Sequence, residues 1–163
     1  MYRKRNIDKK LTAFYGSRFP YKKRKNSTPH RYDVIVGVGG NIGDMKRRLH
    51  KLFYFLQREK RVAVMQTSML LKNPPFGYEA QDHFFNAVMQ LKTSMQPKRF
   101  LRYLLHVEKL FGRKRSFANA PRTLDLDIIF FDNVTIDTKD LIVPHPHWHE
   151  RQSVVIPLAG IVR

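Results

Sequence analysis

Cysteine is absent from the 163 residues. Its absence removes disulfides, thiolate metal sites and cysteine nucleophiles together, leaving oxygen, nitrogen and hydroxyl chemistry for any active site. Nor is there an uninterrupted apolar run near the roughly 20 residues that cross a bilayer. The N-terminus also lacks the apolar stretch of a secretory signal. A soluble, cytoplasmic chain with no membrane partner is the expectation. Acidic residues are scarce: 13 Asp and Glu stand against 31 Lys and Arg, for a formal charge of +18. Such a balance suggests nucleic acid or another anionic surface, so the placement of the charge matters more than its total. At this length, with 42% hydrophobic residues, one domain with its own core is expected.

The charge is concentrated at the front. The first 31 residues hold eleven Lys or Arg against the single acid Asp8, and the remainder holds twenty against twelve. Basic clusters (Arg3, Lys4, Arg5; Lys22, Lys23, Arg24, Lys25) and scattered aromatics without a sustained period read as a basic extension over 1–31, a tail or loosely docked arm ahead of a domain at 32–163. Contact with nucleic acid or anionic lipid is one reading of this arm, and a disordered extension that aids solubility is the other. Tyr15, Phe19 and Tyr21 leave docking onto the domain open.

From Asp33 the pattern becomes regular. Val34, Ile35 and Val36 form a β-branched run that ends in Gly37, Gly39, Gly40, Asn41 and Gly43, a strand followed by a glycine-rich turn. Asp44 then caps a helix with Met45, Leu49, Leu52, Phe53 and Leu56 on one stripe. Val62 to Leu71 and Phe84 to Leu91 are strand-like on either side of the stiff Asn73-Pro74-Pro75-Phe76-Gly77 loop and are expected to pair. Pro97 to Phe111 is a second amphipathic helix, with Phe100, Leu101, Leu104, Leu105, Val107 and Phe111 apolar, stopped at Gly112. Leu124 to Phe131 is the most buried-looking strand. The order βαββαβ predicts an α+β fold with a ferredoxin-like core in an α-β-α sandwich.

Asp125 and Asp127 are the sharpest local feature, because residues i and i+2 of a strand share a face. Two carboxylates that close call for a cation, and hard oxygen ligands suit magnesium, which completes its shell with water and phosphate. The alternative is a solvated face on an edge strand; Leu124, Leu126, Ile128 and Ile129 argue instead that the strand is internal. Upstream lie Arg113, Lys114, Arg115 and Arg122, which read either as a solvated basic loop or as the fixed positive charge that phosphoryl transfer uses. His145, His147 and His149 alternate at a spacing that invites a zinc reading, but two prolines make the segment irregular, and His145 and Arg151 read better as donors to phosphate. The glycine turn lacks the Gly-Lys-Ser/Thr ending of a P-loop. Asn86, in an apolar strand beside Phe84, reads as a core amide or as a reader of a flat heterocycle.

Together these motifs resemble the hydroxymethyldihydropterin pyrophosphokinases over about 33–160. The most specific piece, Pro121-Arg122-Thr123-Leu124-Asp125-Leu126-Asp127, matches that family's signature residue for residue. Gly39 to Asp44, Asn73 to Gly77, Phe84 to Val88, Glu108 through Arg115, Val143 to Pro146 and Glu150-Arg151 support it. The resemblance implies a magnesium-dependent transfer of pyrophosphate from ATP to 6-hydroxymethyl-7,8-dihydropterin, giving AMP and the pterin pyrophosphate in folate biosynthesis. Asp125 and Asp127 would hold two magnesium ions, with Arg113 and Arg122 catalytic. Glu108, Arg115, Ile128, His145 and Arg151 would hold ATP, and Asn73, Pro74, Phe76, Phe84 and Asn86 the pterin. The chain would act as a monomer whose 113–122 loop is mobile without ligand. Two positions depart from the family pattern: Asn119 and Ala120 stand where a Trp-Gly pair is usual, and Ser153 where a stacking Phe is, leaving Trp148 or another ring to stack.

Two other readings share the βαββαβ order: a degenerate, non-catalytic relative of that family, which the changes at Asn119 and Ser153 permit, and a small RNA-binding module, which would use the same basic surface. It calls for a Lys/Arg-Gly-Phe/Tyr-Gly/Ala-Phe-Val run, which is missing here, and it would leave two aspartates facing phosphate.

Overall fold

The computed structural model describes residues 2–25 and 27–161. In chain order the strands are β1 (Arg3–Asn6), β2 (Thr12–Tyr15), β3 (Tyr21–Lys22), β4 (Tyr32–Gly40), β5 (Val62–Thr67), β6 (Leu70–Asn73), β7 (Phe84–Thr93), β8 (Asp125–Phe131), β9 (Ile136–Asp137) and β10 (Ile142–Val143). Helix α1 (Met45–Arg58) follows β4, α2 (Pro97–Leu110) follows β7, and α3 (Gln152–Ala159) closes the chain after a 3-10 turn at Trp148–Glu150. Among the described residues, β1 to β8 form one antiparallel sheet in the order β1-β2-β6-β7-β4-β8, with β5 beside β7 and β3 beside β5.

The helices form where the sequence predicts them. Asp44 Oδ1 accepts the Arg47 N–H at 3.1 Å, and Met45, Leu49, Leu52, Phe53 and Leu56 are the buried stripe of α1. Gly112, at φ +84°, ends the second helical segment in the left-handed region that costs glycine least. Within α2, Tyr103 is buried where Leu105 was expected, and Leu105 is left exposed. Both helices pack on one face of the sheet, against Val34, Val36 and Val38 of β4 and Leu126 and Ile128 of β8. Each fully buried Leu or Phe there contributes about 1.5–3 kcal/mol.

The strand expected over 62–71 is interrupted. Ser68 breaks it: its N–H donates to the Val88 carbonyl while its hydroxyl accepts the Val88 N–H, so a side chain stands in for a ladder carbonyl. β5 and β6 therefore pair successively with one edge of the long β7. The first segment also differs from the loose arm expected. β2 pairs with β6, β3 pairs with β5, and Phe14 and Phe19 are buried. The cause is apolar: Phe19 and Tyr21 meet Phe53 edge-on at centroid distances of 6.3 and 4.8 Å. Only the outermost strand, β1, keeps all four residues exposed.

Two further expectations change. The glycines at 37, 39 and 40 lie inside β4, paired with Val88, Asn86 and Phe85, so the turn shrinks to the residues between Gly40 and Met45. β8 is not flanked by strands on both sides but ends the sheet order; its outer edge is covered by other means. Glu108 accepts the Leu126 N–H at 2.7 Å, and the His145 N–H donates to the Ile129 carbonyl at 2.9 Å. Helix α3, not expected from the sequence because Pro157 interrupts its pattern, packs on β6 and β7. Its Ile156 meets a small cluster of Leu11, Ala13, Met69 and Leu71 on the face away from α1 and α2. That face is only partly covered.

Candidate active site

On the partly covered face, pairing of β8 with β4 sets Asp125 opposite Gly39 and Asp127 opposite Gly37. Glycine at 39 makes room for Asn86, because a Cβ there would run into Asn86 Oδ1; one at Gly37 would press on Ile129 at 3.3 Å. Strand alternation thus puts two carboxylates, two bare backbone positions and the Asn86 amide side by side. Asn86 donates to Asn73 Oδ1 on the neighbouring strand at 2.6 Å, and Asn73 in turn donates to the Pro74 carbonyl at 3.1 Å.

Two clefts meet at the carboxylate pair. The larger, about 460 Å³, is walled by residues 113–122 and by Asp125, Asp127, His145 and Arg151. The smaller, about 60 Å³, shares those last four residues and adds Gly37, Gly39, Asn86 and Ser153 among others. The first is polar and cationic, the second a narrow slot over glycine backbone and an amide.

The electrostatics are organised by Asp125. Arg113 donates to it at 2.9 Å and to the Leu124 carbonyl at 2.9 Å, while Arg122 lies 3.4 Å from its other oxygen. Glu108 is 2% exposed and serves the same framework, receiving Arg115 at 3.1 Å and lying 3.6 Å from Arg113. Burial raises its pKa above the ordinary carboxylate value. Among the described residues no ion pair falls on Asp127. Burial, then the like charges of Asp125 and Glu108, push its carboxyl up to about 7. His145 Nδ1 accepts the His147 N–H at 3.2 Å, which leaves the ring proton on Nε2. Burial and then the Arg151 and His147 charges lower its pKa, so near neutrality it is an uncharged donor.

Most residues singled out from the sequence converge here. Arg113, Arg115, Arg122, Asp125, Asp127, His145 and Arg151 share the larger cleft, and Asn86 lines the smaller. Phe84 lies under the Arg122 guanidinium at 5.2 Å; Phe76, 71% exposed, lies under that of Arg151 at 5.6 Å. Three residues sit elsewhere. The Glu108 carboxylate is engaged inside the protein, Ile128 packs in the core under the helices, and Trp148 rests edge-on against Phe130 at 5.1 Å rather than in either cleft. His147 and His149 both turn to Glu150. The sequence reading passed over Asn41 and Gln81, which bind the loops around Arg122 to one another; the one available signal was a polar residue among turn glycines.

A family model of the 7,8-dihydro-6-hydroxymethylpterin-pyrophosphokinases matches residues 35–163. The chain belongs to that family. Among pyrophosphokinase relatives, the 2-amino-4-hydroxy-6-hydroxymethyldihydropteridine pyrophosphokinase of Helicobacter pylori is 41% identical over 128 residues, covering 77% of this chain and 78% of that protein. The enzyme of the same name from Campylobacter jejuni is 40% identical over 148 residues, 91% of this chain and 94% of that one. The Bacillus subtilis enzyme is 39% identical over 128 residues, 78% of this chain and 77% of its own length. The Campylobacter match is long enough to take in part of the basic first segment, so the family likeness is not confined to the frame from β4 onward.

Proposed function

We propose that the chain transfers the pyrophosphoryl group of ATP to the hydroxymethyl oxygen of 6-hydroxymethyl-7,8-dihydropterin, giving AMP and the pterin pyrophosphate used in folate biosynthesis. The observation that carries this reading is the meeting of two unlike clefts at Asp125 and Asp127. A triphosphate fits the cation-walled one and a flat heterocycle the slot floored by Gly37, Gly39 and Asn86.

The donor set suits magnesium. Among the described residues no group of three or more His, Asp or Glu side chains is arranged to hold a metal by itself, and a metal that arrives with phosphate needs only one or two carboxylates from the protein. Asp125 and Asp127 would hold two such ions, and Asp127, pushed toward its neutral form, gains most from a neighbouring cation. Bound there, magnesium would neutralise charge on the phosphate oxygens. The protein's own groups do the rest. Arg113 and Arg122 hold positive charge beside the migrating group, where a phosphoryl transition state spreads its negative charge. Arg115, Arg151 and the Nε2–H of His145 donate to the remaining phosphates, and the backbone of Ile128, on the outer strand, would meet the base. Asn86, oriented by Asn73, reads the pterin edge; Phe84 faces the ring, with Pro74 and Phe76 closing over it. The hydroxyl attacks the β-phosphorus, its oxygen–phosphorus bond forms, its proton leaves, and the bond from the β-phosphorus to the bridging oxygen breaks with AMP as leaving group.

We also read the frame β4-α1-β5-β7-α2-β8, with β8-β4-β7-β5 as its strand order, as a ferredoxin-like split βαβ core, and the loops at 74–83 and 113–122 as parts that move with ligand. No helix among the described residues is long and apolar enough to cross a membrane. The reading takes the chain as a monomer acting in the cytoplasm. The test is AMP release from ATP and magnesium with and without the pterin. Pterin-dependent AMP is expected; pterin-independent hydrolysis, or none from folded protein, refutes the reading.

A further inference from the structure

A separate cleft of about 440 Å³ lies on the helical side of the sheet and shares no lining residue with the two that meet at Asp125 and Asp127. Helix periodicity builds it. Arg47, His50, Lys51, Tyr54 and Arg58 fall on one stripe of α1, turned away from the buried stripe that begins at Met45. At about 1.5 Å of rise per residue that stripe runs about 16 Å. Phe55, beside it, and Phe111, just beyond α2, form the other wall and meet edge-on at 5.7 Å. These two rings are half-buried, whereas Arg47, Lys51 and Arg58 are exposed. Tyr54, 37% exposed, is held from the first segment: Arg18 Nε donates to its hydroxyl at 2.8 Å, and the Ser17 hydroxyl lies 3.4 Å from the neighbouring His50 ring.

The charge of this surface is unbalanced. α1 carries five Lys or Arg and no Asp or Glu, and α2 carries four against Glu108, which is buried. Among the described residues no ion pair falls on Arg47, Lys51 or Arg58. We propose that the α1 cleft binds single-stranded nucleic acid without regard to sequence, with Arg47, Lys51 and Arg58 on its phosphates and Tyr54 stacked on a base. Cations in a row match a phosphate backbone, and rings set among them match the open faces of unpaired bases. A duplex hides those faces. An acidic peptide satisfies the cations but brings nothing planar to the rings. An anionic bilayer is flat and takes up protruding apolar side chains, whereas here half-buried rings lie below exposed charge. RNA-recognition domains of the same element order bind on the sheet; in this chain the sheet carries the carboxylate pair, and the helical face is the one left cationic.

Fluorescence anisotropy of a labelled oligouridylate of about 12 nucleotides, titrated with the full chain, tests this. The expected Kd lies between about 1 and 100 μM at physiological salt, with a slope of log affinity against log salt of about −2, from three phosphates at about 0.7 each. Arg47→Ala combined with Lys51→Ala changes two exposed helix positions outside both catalytic clefts. It is expected to weaken binding about tenfold and bring the slope to about −0.7, leaving the melting temperature and AMP formation unchanged. Tyr54→Leu keeps an apolar contact but loses the stack, and is expected to weaken binding about fivefold or more. Removing the three cations of β1 together, Arg3→Ala, Lys4→Ala and Arg5→Ala, is expected to change it less than about twofold. An oligothymidylate should bind about as well as the uridylate, and a duplex of equal length more weakly. Equal weakening by the β1 and α1 variants would reduce the effect to overall charge, and displacement of the strand by α,β-methylene-ATP with magnesium would put it in the catalytic cleft. Wild-type affinity in Tyr54→Leu, or a duplex bound as tightly as the single strand, would remove the stacking. Polyglutamate bound as tightly as the strand would point to an acidic protein, and phosphatidylserine vesicles released by the α1 variant while the strand stays bound would point to a membrane. Each of these results overturns the proposal.

Discussion

Replacing the carboxyl of Asp127 by the isosteric amide, Asp127→Asn, probes the site without altering its shape. Burial and the charges of Asp125 and Glu108 push the Asp127 pKa from 3.8 up to about 7. A raised carboxyl takes up a proton on folding, so in the metal-free wild type the contribution of this group to stability is full below about pH 4, is lost as the pH rises, and is gone above about pH 7. At about 1.4 kcal/mol per unit, the full effect is about 4 kcal/mol. Asp127→Asn carries no such proton. In chelator-treated buffer it should match the wild type near pH 4 and exceed it by about 4 kcal/mol at pH 8, a melting temperature about 10 °C higher. Urea unfolding between pH 4 and pH 9 measures the difference directly. Magnesium added at pH 8 should then stabilise the wild type and leave the variant unmoved, while the variant loses turnover. Stability curves of the two proteins that run parallel across this range would refute the reasoning, because they would mean that the ionised carboxylate costs the fold nothing.

Two more outcomes follow from burial and partnership. Phe19→Ala removes a ring that is fully buried against Phe53 and should cost about 3–5 kcal/mol in thermal or urea unfolding; an unchanged midpoint would show that the first segment is not integral to the fold. Arg113→Ala and Arg122→Ala should both depress AMP formation but differ in stability. Arg113, whose side chain is 10% exposed, takes with it the nearest cation of Asp125 and a donor to the Leu124 carbonyl, at up to about 3 kcal/mol, whereas Arg122→Ala keeps the backbone hydrogen bonds to Asn41 and should cost about 1 kcal/mol or less. Equal losses of stability would contradict that division.

What could be read in the sequence is what depends on local period and chemistry. The stripe from Met45 to Leu56 and the cap at Asp44 are set within one helix, and Asp125 and Asp127 share a face because the strand repeats every two residues. Long-range accommodation stayed out of view. Gly37, Gly39 and Gly40 carry the same letters whether they make a turn or lie flat beneath a cleft; only the approach of Asn86 from the neighbouring strand distinguishes the two. The apolar look of Leu124 to Phe131 suggested strands on both sides, when helix α2, Glu108 and the His145 segment bury it from other directions. The first 31 residues misled by charge: their lysines and arginines dominate the composition, while a few apolar side chains, Phe14 and Phe19 among them, dock them on the sheet. Gln81 and Asn41 act through bonds 40 and 38 positions away along the chain, to one another and to Asn119, and no local pattern marks such a pair.

The row of exposed side chains on β1 bears on how the molecule meets its own kind. A sheet that stops at an open strand offers unused N–H and carbonyl groups to any other chain that can lie alongside, the geometry from which aggregates grow. Here the bordering strand is Arg3-Lys4-Arg5-Asn6, so a second copy approaching the same border brings three positive charges toward three others. Charge that reads in composition as an invitation to a polyanion works, at this border, as a fence that keeps each sheet finite.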